Sequence, residues 1–221
     1  MMISIMQPHY LPWLGYFYLI YKSKNLVFLD DVKFQYQSWQ HRNYILSNNK
    51  PILLTAPIDN MTKNNKIVNV KFKSELFREK HLKTIHQVYC KTKYFETFFP
   101  ILEDIYSFKT ENISEFNQNF IMKISKLSNI NANFYKSSQM QISSPGQDKI
   151  IEICKRLNLK TYISTPGSSA YLSEKKFLDE NIYLEYMDYS KIESKKKDDK
   201  NLSVIDFIFR EGFNLKKIFD S

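Results

Sequence analysis

Apolar and polar positions fall into short blocks whose period switches repeatedly along the chain. Ile3-Ser4-Ile5-Met6 is an apolar run that stops at Pro8, and it predicts a buried first strand. Pro12 opens residues 13–21, where apolar side chains recur at helical spacing; proline is favoured at a helix start. Leu26-Val27-Phe28-Leu29 predicts a second buried strand that ends at Asp30-Asp31. Strand, helix and strand in so short a stretch predict a βαβ unit and a parallel sheet.

Residues 32–49 are polar and aromatic and predict a loop or irregular hairpin. Residues 52–56 and 67–72 read as two extended runs, an excursion from the main sheet. Helical spacing then predicts helices over 77–89, 94–107 and 114–127, a mainly helical section around residues 74–128, with Pro100 weakening the middle helix. Strand signals at 132–136, 161–164 and 182–186 alternate with helices from Ser144-Pro145-Gly146 to Leu157 and over 173–180. A final apolar helix over 202–210 meets Gly212, a natural C-cap.

Composition narrows the class. The 221 residues suffice for one large domain and not for two, so residues 1–221 are expected to form a single α/β domain. Hydrophobic residues at 43% and charged residues at 25% place the chain in the ordinary globular range. The net charge of +9 comes mainly from scattered lysines. The run Lys195-Lys196-Lys197 is interrupted by Asp198-Asp199, so it reads as a solvated loop and predicts no nucleic-acid partner. The positive charge does suit an anionic substrate such as a nucleotide-linked one. Cys90 and Cys154 are far apart and predict neither a disulfide framework nor a metal site. No basic, apolar leader and no membrane-length apolar run is present, which predicts a cytoplasmic protein. No tightly bound cofactor is indicated.

Candidate chemistry gathers at strand ends, because open α/β sheets bind ligands outside the carboxyl ends of their strands. His9 follows the first strand directly, where a catalytic imidazole would stand; the alternative is a structural histidine. Gln7, Tyr10 and Trp13 crowd the same edge, and Gly15 lies in the first turn after it. Asp30 and Asp31 end the second strand, where a carboxylate meets a sugar hydroxyl, orients a base or caps a turn. In residues 38–43, Arg42 can grip a phosphate or carboxylate and Trp39 can stack on a base or sugar. Ser164 to Tyr171 is a small-residue loop of the kind whose backbone N–H groups cradle anions, though it fits no complete phosphate motif. His81 and His86, five apart on a helix, read as surface or packing residues.

Gln7-Pro-His-Tyr-Leu-Pro-Trp-Leu-Gly-Tyr-Phe17 resembles the opening signature of the WbqC-like family. Leu29-Asp-Asp-Val-Lys-Phe-Gln35 and Ser38-Trp-Gln-His-Arg-Asn43 are similar to its second block. Supporting matches run through Tyr89, Lys93-Tyr94-Phe95, Tyr162-Ile-Ser164, Gly167, Tyr171-Leu172, Leu202 to Asp206 and Gly212, so the resemblance covers nearly the whole chain. Residues 190–200 depart from it: they are lysine-rich where the family has an aromatic, glutamine-containing loop.

The resemblance implies a protein of surface-glycan loci, O-antigen or capsule. The implied reaction is acyl or aminoacyl transfer to the amino group of a nucleotide-linked amino sugar. The acyl donor would be a carrier-protein or coenzyme A thioester, and a homodimer is compatible with it. His9, Asp30 and Asp31 would be catalytic. Gln7, Tyr10, Trp13, Gly15, Tyr16, Gln35, Trp39, Arg42, Asn43, Gly167, Ser168 and Tyr171 would bind substrate. A physical comparison gives a rival reading. The strand, Pro/His loop and Trp13-Leu-Gly-Tyr16 helix start are laid out like the HxGH motif of nucleotidyltransferases. The expected fold is accordingly Rossmann-like, of the HUP/nucleotidyltransferase type: a mostly parallel sheet flanked by helices with a helical insertion. Trp13 and Tyr16 stand where that motif has its histidines, which argues against nucleotidyl transfer. A third reading is a non-catalytic binding protein for a sugar nucleotide or carrier protein.

Overall fold

The computed structural model describes residues 1–193 and 202–220; residues 194–201, most of the lysine-rich segment, lie outside them. In chain order the elements begin with β1 (Met2–Met6), α1 (Leu14–Ser23), β2 (Asn25–Phe28) and the pair β3 (Arg42–Ser47) and β4 (Lys50–Thr55). Then come α2 (Leu76–Tyr89), α3 (Phe95–Tyr106), α4 (Ile113–Leu127), β5 (Asn133–Lys136), α5 (Gly146–Arg156) and β6 (Thr161–Ser164). The chain closes with α6 (Glu174–Asp179), β7 (Tyr183–Tyr186), α7 (Ser190–Glu193), α8 (Val204–Glu211) and α9 (Leu215–Asp220).

Five strands pair in parallel in the order β5-β2-β1-β6-β7. Alternate side chains enter opposite cores, as the two-residue period of a strand requires. Leu26, Phe28 and Ile163 pack on one face with α1 to α4, α8 and α9. Ile3, Ile5, Val27 and Tyr162 pack on the other with α5 and α6. Both faces are thus covered by helices, as expected of an α/β sheet whose strands are short apolar runs. Burying each large apolar side chain contributes about 1.5–3 kcal/mol, so the two cores dominate the stability.

Three local differences from the sequence reading have physical causes. Residues 42–55 form a regular hairpin, turned by Asn48 and Asn49 at φ of 48° and 61°, the left-handed pair that a tight two-residue turn needs. Residues 67–72 are not a strand. Ile67–Asn69 form a 3₁₀ turn, and the backbone N–H groups of 67–72 bond to separate segments, Ile67 N to Val32 O, Val68 N to Asp30 O and Phe72 N to Glu111 O. Pro100 does not break α3, because Phe95, Phe98, Leu102 and Ile105 anchor that helix in the core. The expected C-cap holds: Gly212 has φ of 87° and donates its N–H to Ile208 O at 2.9 Å.

The winding places the ligand edge. The chain leaves β1 for α1, on the first face, and leaves β6 for α6, on the opposite face. Connections that diverge from adjacent parallel strands open a crevice at their carboxyl ends. Gln7 to His9 and Thr165 to Ser168 are the segments that border it.

Candidate functional site

Gln7, Pro8 and His9 follow β1 directly, in the segment that leads to α1. Tyr16, in the first turn of α1, touches Gln7 and His9. Its hydroxyl donates to Gln7 O at 3.0 Å, and its ring lies 5.4 Å from the His9 ring. His9 is half-buried, and neither ring nitrogen has a hydrogen-bond partner among the described residues. Burial among apolar neighbours pushes the imidazole down to about 4, so it stands neutral near pH 7.

The loop before β3 buttresses this strand end. Asn117, fully buried on α4, donates from Nδ2 to Pro8 O at 2.9 Å and to Gln40 O at 2.8 Å. Tyr10 N donates to Trp39 O at 2.8 Å. The Gln40 side chain, also fully buried, accepts from Gln35 N at 3.0 Å and donates from Nε2 to Gln7 Oε1 at 2.7 Å. Asn43 Nδ2 donates to Leu11 O at 2.7 Å. His41 receives Gln37 N–H at Nε2 and donates from Nδ1 to Ala56 O, each at 3.0 Å, which fixes a neutral tautomer. Burial lowers its basicity further.

Several residues expected to meet substrate instead face protein. Tyr10 is in the core, with its hydroxyl 2.7 Å from His81 Nδ1 and 2.8 Å from that of Tyr106. His81 is therefore a buried packing residue, and burial depresses it to about 4. Tyr16 and Asn43 are buried too, and they shape the strand end from beneath. Trp13 lies over Gly15 and packs on Tyr189 with ring centroids 5.0 Å apart. Arg42 donates to Gln37 O. Trp39 is 46% exposed, set edge-on to Tyr44, and keeps a free aromatic surface. Gln35 is exposed.

Asp30 and Asp31 sit at the end of β2, but their oxygens are turned towards β5 and α5. Asp30 is fully buried. It accepts from Ser138 N and Ser138 Oγ, each at 3.0 Å, from Gln118 Nε2 at 3.3 Å, and lies 3.2 Å from Ser137 Oγ. Asp31 pairs with Lys149 Nζ at 2.5 Å and with Ser137 Oγ; Lys149 also donates to Ile142 O at 3.0 Å. These contacts fasten β2 to the β5–α5 connection.

At the β6 side, hydroxyls run from Tyr162 to Ser164 at 3.1 Å and to Ser168 at 2.6 Å; Ser168 Oγ donates to Thr165 O at 2.7 Å. Ser168 is thus buried and bonded, whereas Gly167 is exposed with open space around it, and Tyr171 is 71% exposed. Among the described residues, no three His, Cys, Asp or Glu side chains gather closely enough to hold a metal ion. None of their helices is long and apolar enough to cross a membrane.

Gln40, Asn117, Gln118, Ser137, Ser138 and Lys149 organise this edge without having been singled out as site residues. Asn117 had a signal: it falls between Ile113 and Ile121 at helical spacing, a polar residue on an apolar stripe. Ser137 and Ser138 had none, because only the β2–β5 pairing brings them to Asp30.

Comparison with known proteins places the chain by its length and not by one motif. The model of the WbqC-like protein family matches residues 7–218. The uncharacterized protein Rv1507c of Mycobacterium tuberculosis is 22% identical over 216 residues, covering 95% of this chain and 94% of that one. No solved structure matches.

Proposed function

The chain belongs to the WbqC-like protein family, and we propose that it transfers an acyl or aminoacyl group to the amino group of a nucleotide-linked amino sugar, in the cytoplasm, for surface-glycan synthesis. One observation carries the reading: a neutral imidazole, His9, follows β1 at the crevice between β1 and β6 with no hydrogen-bond partner for its nitrogens among the described residues. The amine nitrogen attacks the carbonyl of an acyl thioester, forming the C–N bond as the carbonyl π pair moves to oxygen. His9 takes the proton from nitrogen. The carbonyl re-forms, the C–S bond breaks, and the thiolate leaves with the proton from His9.

The low basicity of His9 suits a base that holds this proton briefly. A bound diphosphate beside it would raise that basicity. The net charge of +9 favours such an anionic ligand, and the exposed face of Trp39 offers a stacking surface for a base or sugar. Nucleotidyl transfer is the weaker reading, because Trp13 and Tyr16 are committed to Gly15, Tyr189 and Gln7 and leave no group for a transferring phosphate.

The test is incubation with a panel of amino-sugar nucleotides and acetyl-coenzyme A, read by mass spectrometry. The expected result is an acyl mass gain on the sugar with no nucleoside triphosphate consumed. His9→Ala is expected to lower kcat/KM about 100- to 10,000-fold while the melting temperature stays nearly unchanged. Pyrophosphate release from a triphosphate, or thermal stabilisation by a sugar nucleotide without turnover, would each overturn the proposal.

A further inference from the structure

The hydrogen bonds around Gln7 have a direction. A backbone N–H can only donate, so the Gln40 atom 3.0 Å from Gln35 N is its oxygen, Oε1. The other end of that amide is then Nε2, a donor, and the Gln7 atom 2.7 Å from it must be an acceptor, Oε1. Gln7 Nε2 therefore points away from Gln40. Among the described residues it has no partner, and it is not sealed from solvent. Gln40 is fully buried, and Asn117 clamps its backbone oxygen, so the chain starts from a rigid point. Gln7 is two residues from His9, and one tyrosine touches both: Tyr16 donates to the Gln7 backbone oxygen and packs on the His9 ring.

We infer that the directed chain Gln35 N–H, Gln40, Gln7 presents a fixed amide donor to the crevice, and that this donor binds an acceptor oxygen of the substrate, the acyl carbonyl in the reaction proposed above. The inference rests on that reading for the identity of the oxygen, and on geometry alone for the polarity of the site. With its oxygen turned to Gln40, Gln7 presents its N–H groups outward, so the site favours an acceptor oxygen over an ammonium. In the transfer step it would hold the oxyanion that forms when the amine adds to the thioester carbonyl, while His9 takes the proton. Gln7 is then the residue that touches the reacting atoms, and Gln40 is a positioning residue. A preset donor of this kind stabilises developing charge without reorganising at the moment of reaction.

Two substitutions test it on the full-length chain. Gln40→Glu keeps the acceptor for Gln35 N–H but places an oxygen opposite Gln7, which forces the Gln7 amide to turn over. Gln7→Glu keeps the acceptor for Gln40 Nε2 and removes the donor directly, at a half-buried position that is not sealed from solvent. The first readout is solvent exchange of the Gln7 side-chain amide protons by ¹⁵N NMR, which needs no substrate. They are expected to exchange freely in the wild type and to become protected in Gln40→Glu. The second is acetyl transfer from acetyl-coenzyme A. Both variants are expected to lose about 100- to 1,000-fold in kcat with KM for the sugar nucleotide changed far less.

Protected Gln7 protons in the wild type, or free exchange in Gln40→Glu, overturn the inference whatever the activity. Undiminished kcat in Gln7→Glu also overturns it. Absence of acyl transfer in a wild type with the expected exchange behaviour instead overturns the proposed reaction and leaves the donor site standing.

Discussion

Replacing Asp31 with asparagine separates two roles that a carboxylate at a strand end can have. The side chains of Asp31 and Lys149 are 12% and 9% exposed and lie 2.5 Å apart, so the pair is nearly sealed from water. Asparagine leaves the Lys149 ammonium with Ile142 O and no counter-charge. Removing one partner of a buried pair costs about 3–5 kcal/mol, because the remaining charge is uncompensated. A chain of this size loses about 2–4 °C of melting temperature per kcal/mol. Asp31→Asn is therefore expected to lower the melting temperature by about 6–20 °C, measured by circular dichroism at pH 7.5. The double variant Asp31→Leu, Lys149→Met removes both charges and is expected to recover most of the loss. The reasoning is refuted if Asp31→Asn melts within about 2 °C of the wild type, and a loss of turnover in that stable variant would restore Asp31 to the chemistry.

Two further expectations use independent parts of the structure. A Cβ on Gly15 would meet Trp13 ring carbons at 2.2–2.6 Å, so Gly15→Ala must displace the indole, at a cost of about 1–3 kcal/mol. With Trp39→Phe as background, Trp13 is the sole indole of a chain that has two; its emission is expected to shift to the red, and an unchanged spectrum contradicts the packing. His9 and His81 are both pushed down to about 4, so in the unfolded chain they take up protons more readily than in the folded one. Their stabilisation is complete above the unfolded value of about 6.5 and is lost as pH falls towards about 4, together about 5 kcal/mol by pH 4.5. Urea titrations at pH 7.5 and 4.5 measure it, and equal stability at both would refute the burial of these rings.

The architecture was legible because its strands are short apolar runs and its helices carry apolar stripes. Every strand of the main sheet and the start of α1 follow from those patterns. Residues 67–72 misled because an apolar run does not reveal where its backbone bonds go, and here they go to three separate segments. Pro100 misled because a local penalty was weighed without the burial of Phe98 and Leu102. At the candidate site, strand-end position brought out Gln7 and His9. It did not reveal that the hydroxyls of Tyr10 and Tyr16 face protein, since a tyrosine in a loop reads alike whether it points in or out. Gln40 stood in plain view within a polar block, but its importance lies in the direction of two hydrogen bonds, which no residue pattern encodes.

The fate of Asp30 and Asp31 shows why strand ends in one sheet are not equivalent. β1 and β2 both send their connections to the same face, and Leu29 N donates to Met6 O at 2.8 Å, so the two strand ends lie against each other. Beyond β2, the edge strand β5 delivers Ser137 and Ser138 directly onto the carboxylates. Acceptors placed there are consumed by protein donors. Between β1 and β6 the connections part to opposite faces, and on the β1 side of that gap Gln7 Nε2 and the His9 ring nitrogens stand without hydrogen-bond partners among the described residues. A folded chain ordinarily pairs its half-buried polar groups with protein or water. In the proposed reaction Gln7 Nε2 and the His9 ring, a donor and an acceptor two residues apart, are the pair that a bound ligand would complete.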